Sequence, residues 1–591
     1  MKPATNKWPS TNLSRNVLFL AQALREKLSI RSFESFRVSA LDFKSRLREL
    51  ASLSWDLEAE RIPSISLQSP VEELDASFAS DAVARQLCDE EASIFKTNWS
   101  NWDKSGKQPT EINNFCRMLH NKLSTSYKEQ IETDIIKLLD DSKSKSSLMA
   151  LSNLYCSTLI NDGYTREYIL RHVISTFFSN DFDRVEKKKV TAFFSIFNNR
   201  LTEFVVIIHV AKSFEDYISQ LDLKSIVSVK LSNLPKHAEN AIKTERRYDP
   251  ENRYVSMKVN ALDPVGALKL ASESLSSVVA MTHLGKRSPR LKMESYGYVF
   301  KYGSRTGGFH ASDTTVFRQQ DTLSGHIVDN IKQKTRTIIS KFTDVSTSRL
   351  ISSVNMGAIS RWSPRPENQL VTIWSSIEIL LSDPHKNSSR ISYYVDKLAP
   401  CICLGYARRY TEAVYLASRI YYRKHIQEFL KRDAFDLNDS ELTRFSKLLY
   451  SANMKPLHED FCAALSGNPL LLYRLWNLED KFGTPKKYLN SLLRHEERVR
   501  WQLFRIYRTR NSIVHNGKKP TFLSPLVINV FEYFTDAMEP LLNEASMESG
   551  NSEVDQIISE IGFRYEMLKN NLSKRKDDEL LTAADVEKMH A

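Results

Sequence analysis

Apolar residues recur at helical spacing from early in the chain. Val17, Leu20, Leu24 and Leu28 share one face, as do Leu41, Leu47, Leu50 and Leu53, so the period predicts a mostly helical segment over residues 1–185. Polar breaks interrupt it at Arg61–Pro63 and Asp103–Pro109, and the Ser-Lys-Ser-Lys-Ser-Ser run at 142–147 reads as a surface loop or linker. No repeat of fixed period is visible. Near residue 200 the period changes. Phe204–Val210 is a β-branched apolar run, Ser225–Leu231 is a second, and Val255, Met257 and Val259 alternate with polar residues. Tyr296, Tyr298, Phe300 and Tyr302 alternate in the same way. These are strand signals. Between them Ala267, Leu270, Ala271, Leu275, Val278 and Val279 fit a helix over Pro264–Leu284. Strands with one such helix predict an α+β domain over 190–345.

Beyond residue 350 the helical period returns. Leu370, Ile373, Trp374, Ile377, Leu380 and Leu381 form an apolar stripe over Asn368–Leu381. Further helices are predicted within Tyr393–Leu430 and over Leu442–Leu449, Leu470–Phe482, Tyr488–Asn516 and Phe522–Met538. A break at Met547–Asn551, carrying Gly550, precedes a charged helical tail, 552–591, expected to attach loosely. The fold class is therefore mainly α with an α+β middle domain, ending in a helical bundle.

Composition supports this reading. Only 16 of 591 residues are glycine, under half the usual ~7%, so tight turns are few and helix is favoured. Hydrophobic residues at 41% and charged residues at 26% argue against wholesale disorder. The six cysteines form no Cys-x-x-Cys pair, which speaks for a reducing compartment and against a thiolate metal site. No apolar run approaches the ~20 residues that span a bilayer, and the run at Val17–Ala21 is too short and too flanked by charge for a leader. A cytoplasmic protein without membrane contact is expected. The formal net charge of +12 favours polyanionic partners.

The most informative stretch ends the predicted helix Tyr488–Asn516. Arg510-Asn511-Ser512-Ile513-Val514-His515 is followed by Asn516, Gly517 and, shortly after, Pro520. Gly517 stands where a helix C-cap glycine is expected, which places His515 in the last turn. On an ideal helix Phe504, Arg508, Asn511 and His515 share a face, and Arg510 lies off it. Histidine exchanges protons near neutral pH. Arginine holds phosphate through paired N–H groups, and asparagine can orient a phosphate oxygen, a ribose hydroxyl or the imidazole. RNA brings its own nucleophile, the 2′-hydroxyl, so such a set can act by in-line transesterification without a metal or cofactor. A bland reading stands beside this one: Arg and His are also favoured in last helical turns.

The string Arg510–His515 resembles the Arg-x(4–6)-His signature of HEPN domains, in the Arg-Asn-x-x-x-His form usual among HEPN ribonucleases. The wider run to Gly517 is similar to the Apea-like branch. Asn368–Leu380, with Trp374 followed one turn later by Glu378, resembles that family's early helix. The resemblance covers about 355–545. It implies a helical nuclease domain that forms a homodimer, with two motifs meeting across a two-fold axis. It also implies metal-independent RNA cleavage to a 2′,3′-cyclic phosphate, often by toxins or abortive-infection effectors of bacterial anti-phage defence. By position His515 would be general acid/base, Arg510 would bind and polarise the phosphate, and Asn511 would assist. Glu378 and Asn516 would support them; for Glu378, whose role in the family is less uniform, the alternative is a simple ion pair with an arginine of the motif helix.

The flanking charge agrees with RNA. Between Arg494 and Lys519 eight basic residues face two acidic ones, Glu496 and Glu497. Arg505, Arg508, Lys518 and Lys519 are the expected phosphate contacts. Tyr507 can stack on a base, whereas Trp501 is expected in the core. Residues 1–345 would sense a phage or cellular trigger or restrain the nuclease. The alternative is a HEPN module kept for dimerisation or for nucleotide or RNA binding without cleavage. Gly303–Gly308 lacks a P-loop ending and reads as a strand-connecting loop, and Cys401 and Cys403 read as buried packing.

Overall fold

The computed structural model describes residues 11–98, 108–141, 143–179, 186–221, 225–244, 253–284, 291–312, 325–382, 389–517, 519–577, 579–582 and 585. Lys518, expected to contact RNA, lies outside them. The chain is mostly helical, with one five-stranded antiparallel sheet in its middle. It forms two compact units. The smaller comprises Leu159–Thr176 and Thr191–Arg318, the larger the remaining segments.

The smaller unit holds β1 (Thr202–Val210), β2 (Ile226–Val229), β3 (Arg253–Ala261), β4 (Met293–Lys301) and β5 (Phe309–Ser312), in the order β2-β3-β1-β4-β5. The four strands read from periodicity are present. The edge strand β5 was not expected, because four residues with His310 and Ser312 among them carry too little pattern. Gly303–Gly308 connects β4 to β5, as read. The unbroken apolar run of β1 has a physical reason: both faces are covered. Val206 and Ile208 pack with Leu268 and Leu275 of the helix Pro264–Met281, whereas Val205 and Ile207 pack with Ala238 and Ile242 of the helix Lys236–Lys243. Gly297 of β4 permits the pairing with β1, since a Cβ there would stand 2.6 Å from the Ile207 carbonyl oxygen.

In the larger unit the predicted helices are present with shifted limits. Asn368–Leu381 is observed as Pro366–Leu380, Leu470–Phe482 as Pro469–Phe482, and Phe522–Met538 as Leu523–Met547. The stretch 393–430 is two helices, Arg390–Leu404 and Tyr406–Leu430, broken at Gly405. The loop expected at 142–147 is shorter, because a helix starts at Lys145.

The loosely attached tail is a second correction. The helix Val554–Ser573 buries Val554, Ile557, Ile561 and Tyr565 and packs against Arg390–Leu404 and Leu523–Met547. Its start is pinned where Ser552 N–H donates to the Lys341 carbonyl at 2.8 Å and Arg349 pairs with Asp555 at 2.8 Å. Apolar residues every three to four positions form that buried face, and the charges between them stay outside it. Ile561→Ala should cost about 2–5 kcal/mol through the cavity it leaves, read as a lowered thermal midpoint. Exposed Phe563→Ala should stay within about 0.5 kcal/mol of wild type. Equal midpoints for the two variants would show that this helix is not part of the core.

Candidate functional site

The helix Pro485–Asn516, called here the motif helix, is set by its ends. Thr484 caps its start, the hydroxyl accepting from the Lys487 N–H at 3.3 Å, and Pro485 follows in the first turn. Gly517 closes it in the left-handed region at φ 62°, its N–H donating to the Ile513 carbonyl at 3.1 Å. A side chain is strained in that conformation, which is why glycine stands there. His515 accordingly occupies the last turn and is exposed.

Tyr488, Leu492, Val499, Leu503 and Ile506 form the buried face of this helix. An adjoining face lines a cleft of about 1610 Å³. Phe504, Arg508, Asn511 and His515, the stripe expected from helical spacing, all line it, and so do Asn516 and Lys519. The opposite wall comes from the helices Phe43–Glu58 and Gln68–Ser80, which present Glu49, Asp56, Glu72 and Asp75. Arg48 and Arg61 line that side as well, and Glu497 lines the motif-helix side, so both walls carry mixed charge.

Arg510 does not line the cleft. The indole N–H of the fully buried Trp374 donates to Glu378 at 3.0 Å. The other Glu378 oxygen stands 3.6 Å from the Arg510 guanidinium, which donates to Asn511 Oδ1 at 2.9 Å. Trp374 is itself held between Tyr507 and Tyr394, with ring centroids at 5.5 and 6.3 Å. Arg510 therefore reaches the cleft through Asn511, and Glu378 does pair with an arginine of the motif helix.

The surrounding cations divide. Arg505, expected to contact RNA, is 1% exposed. Its guanidinium donates to Glu49 at 2.7 Å and to Glu73 at 2.5 Å. That expectation is corrected: a guanidinium walled in by two carboxylates has no face left for phosphate. Burial pushes the Glu73 carboxyl up, but Arg505 and Arg46 together hold it down at about 2. Glu49 is likewise held below its ordinary value, with Arg505 and Arg508 overcoming burial. Arg508 stays on the cleft, with Glu49 at 3.4 Å, and burial lowers its basicity. Lys519 also lines the cleft and forms an ion pair with Glu367. Trp501, expected in the core, is half-buried on the cleft wall. Cys401 and Cys403 are buried, and burial pushes the Cys401 thiol up to about 12, leaving it inert.

Comparison with protein-family models, curated proteins and solved structures gave no match. Glu49 and Glu73 were missed because each reads as one more charge on an amphipathic helix. The available signal was that Glu73 interrupts the run Pro70, Val71 and Leu74, all of them buried.

Arg505→Met should destabilise the protein by about 3–5 kcal/mol, because it strands two buried carboxylates. Replacing Glu49 and Glu73 by leucine in the same chain should recover most of that loss in a denaturant titration. The pair also sets an acid limit. Glu73, depressed from 4.5 to about 2, contributes stability that is complete above about pH 4.5 and is lost as pH falls toward 2. The thermal midpoint of the wild type should drop across that window, and that of the leucine variant less steeply.

Proposed function

We propose that this cleft cleaves RNA as the active site of a metal-independent endoribonuclease of the HEPN type. What carries the reading is the placing of an exposed imidazole, an amide and a guanidinium on one wall, at His515, Asn511 and Arg508. In-line cleavage needs a base to take the proton from the 2′-hydroxyl as its oxygen attacks phosphorus. An acid must also give a proton to the departing 5′-oxygen. The products are a 2′,3′-cyclic phosphate and a 5′-hydroxyl end. His515 can serve as either partner, and cationic and amide donors on the same wall stabilise charge on the phosphoryl oxygens.

One imidazole cannot be base and acid in the same step. The resemblance of Arg510–His515 and of Trp374–Glu378 to HEPN proteins suggests that a homodimer brings a second His515. The same resemblance suggests a toxin or abortive-infection effector of bacterial anti-phage defence, acting in the cytoplasm. Residues 1–345 would then respond to a phage or cellular trigger, and Glu49, which meets Arg508, would be part of the restraint.

Purified protein incubated with total RNA in EDTA should yield fragments ending in cyclic phosphate. His515→Ala should slow this by about 10²–10⁴-fold and relieve toxicity on expression. Tight RNA binding with intact RNA in both proteins would instead favour the non-catalytic module.

A further inference from the structure

Of the arginines of the motif helix, Arg500 and Arg508 line the cleft; Arg500 is paired with Asp396 at 2.7 Å and Glu496 at 3.0 Å, and Arg510 stands behind Asn511. We infer that Arg508 is the guanidinium that meets the phosphate, and that Arg510 is a positioning residue acting through Asn511. This rests on the RNA reading above and assigns the roles within it.

A guanidinium has donors only. The atom of Asn511 that faces Arg510 at 2.9 Å is therefore Oδ1, and chemistry fixes the amide orientation. The Nδ2–H₂ end is left for the cleft that Asn511 lines, as a donor toward a phosphate oxygen. Arg510 is held in turn by Glu378, and Glu378 by the indole of the fully buried Trp374. A buried ring thus sets, through two charged groups, which end of one amide a ligand meets. The charge of Arg510 is already balanced by Glu378.

Arg508 stands on the other side of that division. It lies three residues before Asn511 and seven before His515, on their face of the helix, and lines the same cleft. Its carboxylate neighbour Glu49 is 3.4 Å away and is bound more closely by Arg505, at 2.7 Å. Glu49 and Glu73 together meet Arg46, Arg505 and Arg508. Three cations against two anions leave one positive charge, and Arg508 is the member of the three that lines the cleft.

Salt dependence separates the roles, because it counts phosphate contacts and is indifferent to positioning. The probe is a fluorescent 2′-O-methyl RNA oligonucleotide, which cannot be cleaved, titrated by anisotropy across a KCl series. Arg508→Gln should reduce the slope of log K against log salt by about 0.7, the share of one single-strand phosphate. Arg510→Gln combined with Glu378→Gln removes both charges. It should leave the slope at the wild-type value while weakening binding several-fold. With unmodified RNA, Arg510→Ala should lower kcat, and Arg510→Lys, which can still donate to Asn511, should restore most of the loss. Arg508→Lys keeps the charge and stem and guards against a folding failure; it should retain the slope and bind several-fold more weakly. A slope lost with Arg510 and kept without Arg508 overturns the assignment while RNA cleavage stands. The expected slopes with no cleavage overturn the nuclease and leave the assignment. No binding by the wild type overturns both.

Discussion

A guanidinium taken out of water must be met by anions on nearly every side, and Arg505 is met by Glu49 and Glu73. Apolar packing alone would leave the motif helix free to slide or turn a little against the helices Phe43–Glu58 and Gln68–Ser80. The fork of Arg505 does not, because two carboxylates satisfy it only at one position and one rotation. The spacing between the two walls of the cleft follows from that contact. So does the direction in which Arg508, Asn511 and His515 face, since all three stand on the same rigid helix.

One helix thereby does three things at different angles around its axis. Val499, Leu503 and Ile506 join the core, Arg505 locks the N-terminal helices, and Phe504, Arg508, Asn511 and His515 line open space. The left-handed Gly517 ends it one residue past Asn516. That keeps the imidazole at the rim, where a continued helix would have carried the chain on past the opening.

Much of this was legible from periodicity. The presence of the helices, the central strands and the common face of Arg508, Asn511 and His515 follow from spacing alone, because helix and strand periods are local properties. The ion pair of Glu378 with an arginine of the motif helix was legible as a plain pairing of opposite charges. What was not legible involved partners far apart in sequence. Arg505 looks like one more member of a basic run until two carboxylates over 400 residues upstream are placed beside it. Trp501 looked like core because a tryptophan on an amphipathic helix usually is. The helix Val554–Ser573 was discounted for its charge, although Ile557, Ile561 and Tyr565 were spaced to bury.

The distance along the chain between Glu49 and Arg505 has a consequence for how the molecule is made. The two residues are 456 positions apart, so at ~5–20 residues per second the ribosome takes roughly 20–90 s to supply the second after the first. Throughout that interval the carboxylates of the early helices have no guanidinium to enter between them, and one wall of the cleft exists without the other. The cleft, as a two-walled opening, therefore cannot form before Arg505 has been made.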